Sequence, residues 1–293
     1  MTLTSTRTTV PARPIKTRRI RFDYPADRLP RHFTKGGDPV MSHVVAVLSA
    51  LFPEGEDFFV QSVRNYRDRI EDPELKKQVA GFIGQEAIHG REHRTFNERL
   101  ASLGYPTRAV DRFTKYALGL GARFLPKNHQ LAITAALEHY TATLAEVLLS
   151  SPEAQASFDS DEVRLLLLWH AVEESEHKSV AFDVYQSVSG SHRVRVGVMN
   201  RITVGFLAMV VVATTASLLA DGDTYRHPGR VIRGLRDLPS SPWLQRDVGR
   251  RLRDYNRRDF HPDDHDTTEL LEHWRTQLFA ADGRLADRLQ GAA

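Results

Sequence analysis

The sequence predicts an all-α protein, and three observations carry this prediction. From Pro39 to about Ser189, apolar residues recur with the spacing of helix faces, and the alternation of a half-buried strand is nearly missing. Residues that start and stop helices, such as Asp72 with Pro73, and Gly104, separate the periodic segments. The chain has 293 residues, of which 41% are hydrophobic and 26% charged, so it can bury a large core beneath a soluble exterior. We therefore expect a helical bundle with further helices attached.

Residues 1–38 are interpreted as a flexible basic arm, because they hold prolines, threonines and the Gly36–Gly37 pair without apolar periodicity. The polar start lacks the apolar segment of a secretory signal, although an Arg-rich start is also compatible with an organelle transit peptide. Cysteine is absent, which excludes disulfides, thiolate metal sites and cysteine nucleophiles. A cytoplasmic location is expected, with membrane association as the alternative.

Within residues 39–190, helix signals divide the chain into segments. Pro53 interrupts the first segment, either as the first turn of a new helix or as a kink. Ser160 and Asp161 cap the last helix of this region. The predicted helices are Val40–Leu51, Glu54–Ile70, Pro73–Leu103, Asp111–Phe124, Pro126–Ser151 and Asp161–Val188.

Residues 191–293 are predicted to form a C-terminal helical extension with two unusual segments. Nineteen consecutive uncharged residues, Ile202–Ala220, are about as long as a bilayer-spanning helix requires. Arginines before the run and aspartates after it suit a membrane orientation, whereas its threonines and small residues favour a buried helix or a homo-oligomer interface. Arginines then crowd into residues 226–258, which fits an anionic surface or a solvated helix face. No specific nucleic-acid partner is expected.

Two segments carry the chemistry of a metal site. Each contains Glu-x-x-His on a predicted helix: Glu86 with His89, and Glu174 with His177. At about 100° per residue, positions i and i+3 lie about 60° apart on one helix face, so a carboxylate and an imidazole can converge on one metal ion. Di-metal carboxylate bundles use this pair twice and add one glutamate from each of the other two helices.

Hairpin geometry selects the two further glutamates. Residues equally far from the turn of an antiparallel hairpin lie at the same height. Glu86 lies about fifteen residues after the first turn, and Glu56 about fifteen before it. Glu174 lies about nineteen residues after the second connection, and Glu138 about seventeen before it. Both candidates stand in apolar surroundings, where a carboxylate needs a cation or hydrogen-bond donors to offset its desolvation.

The alternative interpretation of these motifs is a set of surface ion pairs with Arg91, Arg94 and Lys178, which fits the apolar flanks poorly. Without cysteine, a metal ion would be held by His, Asp and Glu, a donor set that suits iron, manganese or zinc. Four carboxylates favour iron or manganese over a structural zinc.

Four segments carry a family resemblance: FPEGEDFF (52–59), QEAIHGREH (85–93), ALEHYT (136–141) and WHAVEESEHKSVAFDVY (169–185). They resemble the ferritin-like di-iron carboxylate proteins, in particular the bacterial family described as predicted metal-dependent hydrolases. The resemblance covers about residues 40–190 and implies a ferritin-like four-helix bundle with a dinuclear metal site. The name of that family identifies no substrate.

His170 lies four residues before Glu174, about 40° away on the same helix face. The spacing His-x3-Glu-x2-His resembles the fourth-helix pattern of di-iron arylamine N-oxygenases, and this resemblance implies His170 as a seventh ligand. The alternative for His170 is a residue that supports a ligand or packs in the core. The complete predicted ligand set is Glu56, Glu86, His89, Glu138, His170, Glu174 and His177.

Four neighbours of the motifs are expected outside the ligand set. His93 is expected to line the pocket or to support a ligand, with direct ligation as the alternative. Glu92, Glu173 and Glu176 point away from the motif glutamates, and they are expected to be solvated or ion-paired.

The favoured function is an oxygen-activating non-haem di-iron oxidoreductase, an oxygenase that acts on a small organic substrate. It would use two Fe ions, with manganese or a mixed Fe/Mn pair as the alternative, O2 as co-substrate and an electron donor. One alternative function is a metal-dependent hydrolase that uses a metal-bound hydroxide. The other is a ferroxidase or metal-binding protein, although residues 191–293 count against storage because a cage subunit needs no such extension.

Overall fold

A computed structural model describes residues 15–25 and 27–290, so residues 1–14 of the predicted basic arm lie outside the described part. The protein is all-α, as the sequence predicts. Within the described residues, extended pairing is limited to two isolated bridges. The helices are α1 (Pro39–Arg64), α2 (Pro73–Ser102), α3 (Thr107–Phe124), α4 (Lys127–Ser150), α5 (Pro152–Gln155), α6 (Asp161–His177), α7 (Val180–Val188), α8 (His192–Ala220), α9 (Gly222–Arg226), α10 (Pro228–Asp237), α11 (Arg246–Asp254) and α12 (Thr268–Phe279).

Helices α1, α2, α4 and α6 form the centre of the fold. α1 and α2 pack as an antiparallel pair, in which Ser49 bonds Asn97 and Glu56 lies beside Gly90. α4 packs against α6 and α7, and the two pairs meet where α1 contacts α4 and α2 contacts α6 and α7. On the outside, α3 covers α1 and α2, while α8 covers α1 and α4. One face of each central helix therefore points into a common interior.

Of the two interpretations of Pro53, the start of a new helix is wrong, because α1 continues through this residue. Proline lacks the amide that would bond the carbonyl of Ser49 one turn earlier. The side-chain amide of Asn97 donates to that carbonyl at 2.9 Å instead. A partner on α2 thus satisfies the acceptor that the proline leaves free.

The last predicted helix of the bundle is divided in two, since α6 ends at His177 and α7 begins at Val180. At the break, the buried Lys178 ammonium donates to Glu146 Oε1 at 2.9 Å and to the His265 carbonyl at 2.6 Å. Both acceptors are distant in sequence, and no glycine or proline marks the break. Local sequence signals could not have revealed it.

The described residues before α1 are packed against the bundle, so the interpretation as a flexible arm is wrong for them. Ile20, Phe22 and Tyr24 are buried in the main core, while the residues between them are exposed. The ring of Phe22 lies 5.5 Å from that of Trp169, between centroids. Buried and exposed residues alternate over only a few positions of this segment. Such a short alternation cannot be recognised in the sequence among the polar residues around it.

The C-terminal extension shares its hydrophobic core with the bundle. Leu271 and Trp274 of α12 join the main core, and Trp274 Nε1 donates to the Leu149 carbonyl at 2.9 Å. Tyr255 and Phe260 pack in a smaller cluster with residues of α4, α7 and α8. Residues that follow the predicted bundle therefore close two of its sides.

α8 contains the predicted apolar run. By length and composition it could cross a membrane, since its most apolar stretch has a mean hydropathy of 2.2 and only 11% of that stretch is buried. One face, which includes Thr214 and Ser217, packs against the bundle. The opposite face exposes large side chains such as Val204, Val211 and Leu219.

We expect Phe22→Ala to lower the free energy of unfolding by about 3–5 kcal/mol, because it removes a buried ring and leaves a cavity beside Trp169. Arg21→Ala, at the exposed neighbouring position, should change that free energy by less than about 0.5 kcal/mol. Chemical denaturation followed by circular dichroism measures both values. Small, equal effects would show that this segment is a free arm after all.

Candidate metal centre

The seven predicted ligands meet in the interior of the bundle. They come from α1 (Glu56), α2 (Glu86, His89), α4 (Glu138) and α6 (His170, Glu174, His177). Each of these residues is at most 4% exposed. They form overlapping groups of three whose candidate ligand atoms lie within 4.8 Å of one another.

One half of the site lies between α2, α4 and α6. His177 Nε2 is 3.1 Å from Glu86 Oε1 and 3.4 Å from Glu138 Oε2. It is also 3.5 Å from Glu174 Oε1. Ligand bonds to metal ions of this kind are about 2.0–2.2 Å long, so donors around one ion stand about 3–3.5 Å apart. These spacings match that requirement.

The other half lies between α1, α2 and α6. His89 Nδ1 is 3.5 Å from Glu174 Oε1 and 3.8 Å from Glu86 Oε2. Glu56 forms a close group with Glu86 and His89 on this side. Glu86 and Glu174 therefore face both halves, as carboxylates that bridge two ions would.

Nearly all the potential metal-ligand atoms that face this interior are buried without a hydrogen-bond partner. Although His177 Nε2 lies close to Glu86 Oε1, their geometry does not make a hydrogen bond. Buried polar atoms without partners are rare in folded proteins, because each loses its hydration without compensation. The unpartnered atoms are both carboxylate oxygens of Glu56, Glu86 and Glu138, together with Glu174 Oε2, His89 Nδ1 and His177 Nε2.

Without a bound cation, the buried carboxylates of the site repel one another. Burial and the nearby carboxylates of Glu174 and Glu86 raise the pKa of Glu138 to about 8. Burial also raises the pKa of Glu56 well above its usual range, and the Glu86 carboxylate adds to this effect. Burial alone would lower the pKa of His89, but the hydrogen bond to Glu173 and the nearby Glu86 carboxylate raise it to about 10. Two divalent ions would balance four ionised carboxylates and remove this conflict.

A third group of close donors lacks these properties. His32, His43 and Asp221 also lie within reach of one another. Their polar atoms are satisfied, because Asp221 accepts from Arg31 and both imidazoles, and His43 Nδ1 bonds Ser217 Oγ at 2.6 Å. This group is a hydrogen-bonded ion cluster that holds α8 to the segment before α1.

A buried arginine and two glutamates fix the ring of His89. His89 Nε2 bonds Glu173 Oε2 at 3.0 Å, which leaves Nδ1 facing the interior. The Arg18 guanidinium, from the segment before α1, donates to Glu173 at 3.0 Å and to Glu176 at 2.7 Å and 2.8 Å. Such outer contacts set the tautomer and orientation of ligand histidines.

The ring of His177 is held in the same way. Its Nδ1 lies 2.8 Å from Gln85 Oε1 and so donates to it. Gln85 Nε2 donates in turn to Glu176 Oε2 at 2.8 Å. Glu176 also accepts from Arg275 at 2.7 Å. Nε2 of His177 is thereby presented to the interior as a free acceptor.

His170 lies at the edge of the site. Its Nε2 is 2.9 Å from Glu174 Oε1 and 3.9 Å from Glu56 Oε1. Its Nδ1 is 2.7 Å from His93 Nε2, and His93 Nδ1 bonds Ser49 Oγ at 2.9 Å. His93 thus contacts His170, and it also forms a close group of potential ligands with Glu56 and His170. Its place outside the ligand set stays a prediction. Ligation by His170 stays a prediction.

The three glutamates expected to be solvated or ion-paired are all ion-paired, but none is solvated. Glu173 and Glu176 are buried around Arg18. Glu92 is buried too, and it accepts from Arg91 and from the backbone amide of Phe22. Bonds to the segment before α1 replace the water that the helix pattern suggested.

The alternative of surface ion pairs fails for the motif glutamates. Arg91 pairs with Glu92, and Arg94 pairs with Asp57 at 2.5 Å. Lys178 pairs with Glu146 at 2.9 Å. These cations are engaged outside the centre and do not pair with the predicted ligands.

Sequence reasoning missed Gln85 and Arg18 as supporting residues. Gln85 directly precedes Glu86. A polar residue beside a predicted buried ligand was the signal that could have identified it. Arg18 gave no signal, because it lies far along the chain in a segment with no recognisable pattern.

We expect about two metal ions per chain, and we expect the double substitution Glu86→Ala and Glu174→Ala to lose them while the protein stays helical. These two carboxylates face both halves of the site, so their removal takes away donors from each ion. Elemental analysis and circular dichroism measure the two quantities. Glu98→Ala on the exposed face of α2 is the matched control and should keep its metal. Full occupancy in the double variant would contradict the assignment.

We expect His170→Ala to retain most of its metal but to change the electronic spectrum of a cobalt- or iron-loaded sample. The ring stands beside Glu174 and Glu56 at the edge of the donor group, so its loss removes one ligand of seven. A crystal structure with metal in which both ring nitrogens lie more than about 3 Å from any ion would refute ligation, because metal–imidazole bonds are about 2.0–2.1 Å.

A comparison with protein families gives a match over residues 16–266 to the family described as "Predicted metal-dependent hydrolase". The matched span contains all seven predicted ligands and also Arg18 and Gln85. Searches of curated proteins and of solved structures give no significant match. From the match over most of its length, the chain belongs to the predicted metal-dependent hydrolase family.

Proposed function

We propose that this protein is a dinuclear metal-dependent enzyme whose two ions are held by the seven buried residues. The observation that carries the proposal is the set of buried, unpartnered carboxylate oxygens and imidazole nitrogens that face one interior volume. Such a set is unfavourable in an empty protein and is resolved by cations.

The donor positions suggest how the ions would be shared. Glu138 and His177 would hold one ion, and Glu56 and His89 the other, with His170 beside the second. Glu86 and Glu174 would bridge. The arrangement of one glutamate from each of two helices and Glu-x-x-His from each of the other two is that of ferritin-like carboxylate bundles. An oxygen and nitrogen donor set without sulfur suits iron, manganese or zinc.

Hydrolysis is the reaction that the family description supports. Bound divalent ions would supply Lewis acidity, which lowers the pKa of water and polarises a carbonyl or phosphoryl oxygen. The chain's own residues would position these ions and keep bulk water out. Gln85 and Glu173 orient the two Glu-x-x-His imidazoles. Substrate identity would then depend on the walls of the site.

Dioxygen-dependent oxidation of a small organic substrate is the second candidate, and the ring environment of the histidines favours it. Phe52 lies 4.7 Å from both His93 and His170, and Trp169 lies 4.8 Å from His89, between ring centroids. Iron in such a water-poor, carboxylate-rich site would supply electrons to dioxygen. A two-electron oxidation would also need an external reductant.

One experiment separates these reactions. Metal-free protein is loaded with Zn(II), Mn(II) or Fe(II) under nitrogen and assayed with 4-nitrophenyl esters and phosphoesters, with and without oxygen. Hydrolysis predicts nitrophenol release that needs metal but neither oxygen nor reductant. When a reductant is also supplied, oxidation predicts oxygen consumption by the Fe(II) sample alone, coupled to turnover of an organic substrate.

The controls decide whether the centre is responsible. The Glu86→Ala and Glu174→Ala double variant should lose both metal and activity, while Glu98→Ala should keep both. Oxygen consumption that only oxidises iron would indicate a ferroxidase or metal-binding protein. Wild-type protein that binds no metal in elemental analysis would contradict the whole proposal.

A further inference from the structure

Two outer helices of the fold turn large apolar side chains toward solvent. On α3 and just after it, Phe113, Tyr116, Leu120, Phe124 and Leu125 are between 39% and 69% exposed. They recur at i, i+3, i+7 and i+11, so they form one stripe along the helix. A helix on the surface of a soluble protein normally turns such a stripe toward the core. Here the core side of α3 holds Val110, two threonines and the half-buried Leu118 instead.

α8 presents a second apolar surface of the same kind. Val204, Leu207, Val211, Val212 and Leu219 are between 51% and 71% exposed. The residues around them on that face are small or apolar, and the whole helix contains no aspartate or glutamate. No part of the chain that the structure describes covers these side chains.

The two surfaces lie next to each other. Both helices pack on α1, where α3 also touches α2 and α8 also touches α4. Val110 of α3 and Ser217 of α8 line one cleft above Ala46 of α1. α3 is about 27 Å long, and both α3 and α8 pack against α1. We call this combined surface the α3–α8 face.

The border of the α3–α8 face is cationic. Arg112, Arg123 and Lys127 are exposed on or next to α3, where Asp111 is the one acidic residue. Lys115 is exposed as well, but its ammonium lies 3.6 Å from Glu54 of α1. Arg193 and Arg201 lie toward the start of α8. The aspartate that follows α8, Asp221, adds little negative charge to the border, because it is buried against Arg31, His32 and His43.

We propose that the α3–α8 face docks on an anionic phospholipid bilayer, with both helices in the plane of the membrane surface. Amphipathic helices with an apolar face and basic borders bind at this depth, and their aromatic rings sit at headgroup level. The basic border adds electrostatic attraction to anionic lipid. This proposal does not depend on the metal centre, which lies inside the bundle.

The structure favours this orientation over a spanning α8. Arg195, near the start of the helix, is 1% exposed and donates to the backbone carbonyls of Tyr255 and Arg257. Asp221, just after the helix, is tied to the segment before α1 by Arg31 and His32, and to α1 itself by His43. Both ends are thus anchored to the same bundle, and one side of α8 packs on it throughout.

Charge also disfavours a second copy of the chain as the occupant. A two-fold contact through the α3–α8 face would place the basic border of one copy against that of the other. Like charges across an interface are unfavourable. An anionic bilayer satisfies both the apolar stripe and its border.

The test is flotation of the full-length protein with vesicles of phosphatidylcholine alone or with added phosphatidylglycerol. We expect binding to the anionic vesicles, weaker binding to the neutral ones, and loss of part of the anionic preference at high salt. The double substitutions Phe113→Gln with Phe124→Gln on α3, and Val204→Gln with Val211→Gln on α8, should each lower the partition coefficient at least about tenfold. All four positions are exposed, so the fold should survive, which circular dichroism verifies.

Leu244→Gln is the matched control, because this exposed leucine lies in a turn that packs on α4 and α5, away from the face. It should bind vesicles like the wild type. Absence of binding to anionic vesicles, or equal binding by the face variants and Leu244→Gln, would overturn the proposal. So would a wild-type dimer that becomes monomeric in the face variants, since the occupant would then be a second copy. Binding of an acidic protein through the face without vesicle binding would overturn it as well.

Discussion

The whole architecture depends on burying four carboxylates and their histidine partners where no lysine or arginine pairs with them. Glu56, Glu86, Glu138 and Glu174 come from four different helices, and their exposed fractions are close to zero. Most of their oxygens make no hydrogen bond. Leaving such groups unpaired is among the most destabilising arrangements a core can contain. Two bound cations would neutralise these carboxylates and, because the ligands come from four helices, would hold the helices together.

The segments outside the four helices serve the same centre. Arg18 comes from the segment before α1 and Arg275 from α12, and both converge on Glu176. Glu176 in turn holds Gln85, which orients His177. The family match begins at residue 16, which includes Arg18 although it lies before the bundle. A dense polar shell of this kind fixes ligands that would otherwise have several rotamers.

Much of the bundle could be predicted from the sequence, because its long helices carry strong periodicity and clear caps. The donors could be found as well, since Glu-x-x-His spacing and equal heights in hairpins are local rules. The continuous α1 could not, because the acceptor freed by Pro53 is satisfied by Asn97 on another helix. The burial of Glu173 could not either, since Arg18 reaches it from over 150 positions away in the chain. Such long-range partners are set by tertiary packing, which no local pattern encodes.

If the seven buried residues hold two metal ions, anomalous diffraction from crystals of protein loaded with manganese or iron will locate both. We expect two peaks about 3.5–4 Å apart, with Glu86 and Glu174 between them. One peak at His32, His43 and Asp221, or no peak between α1, α2, α4 and α6, would contradict this assignment.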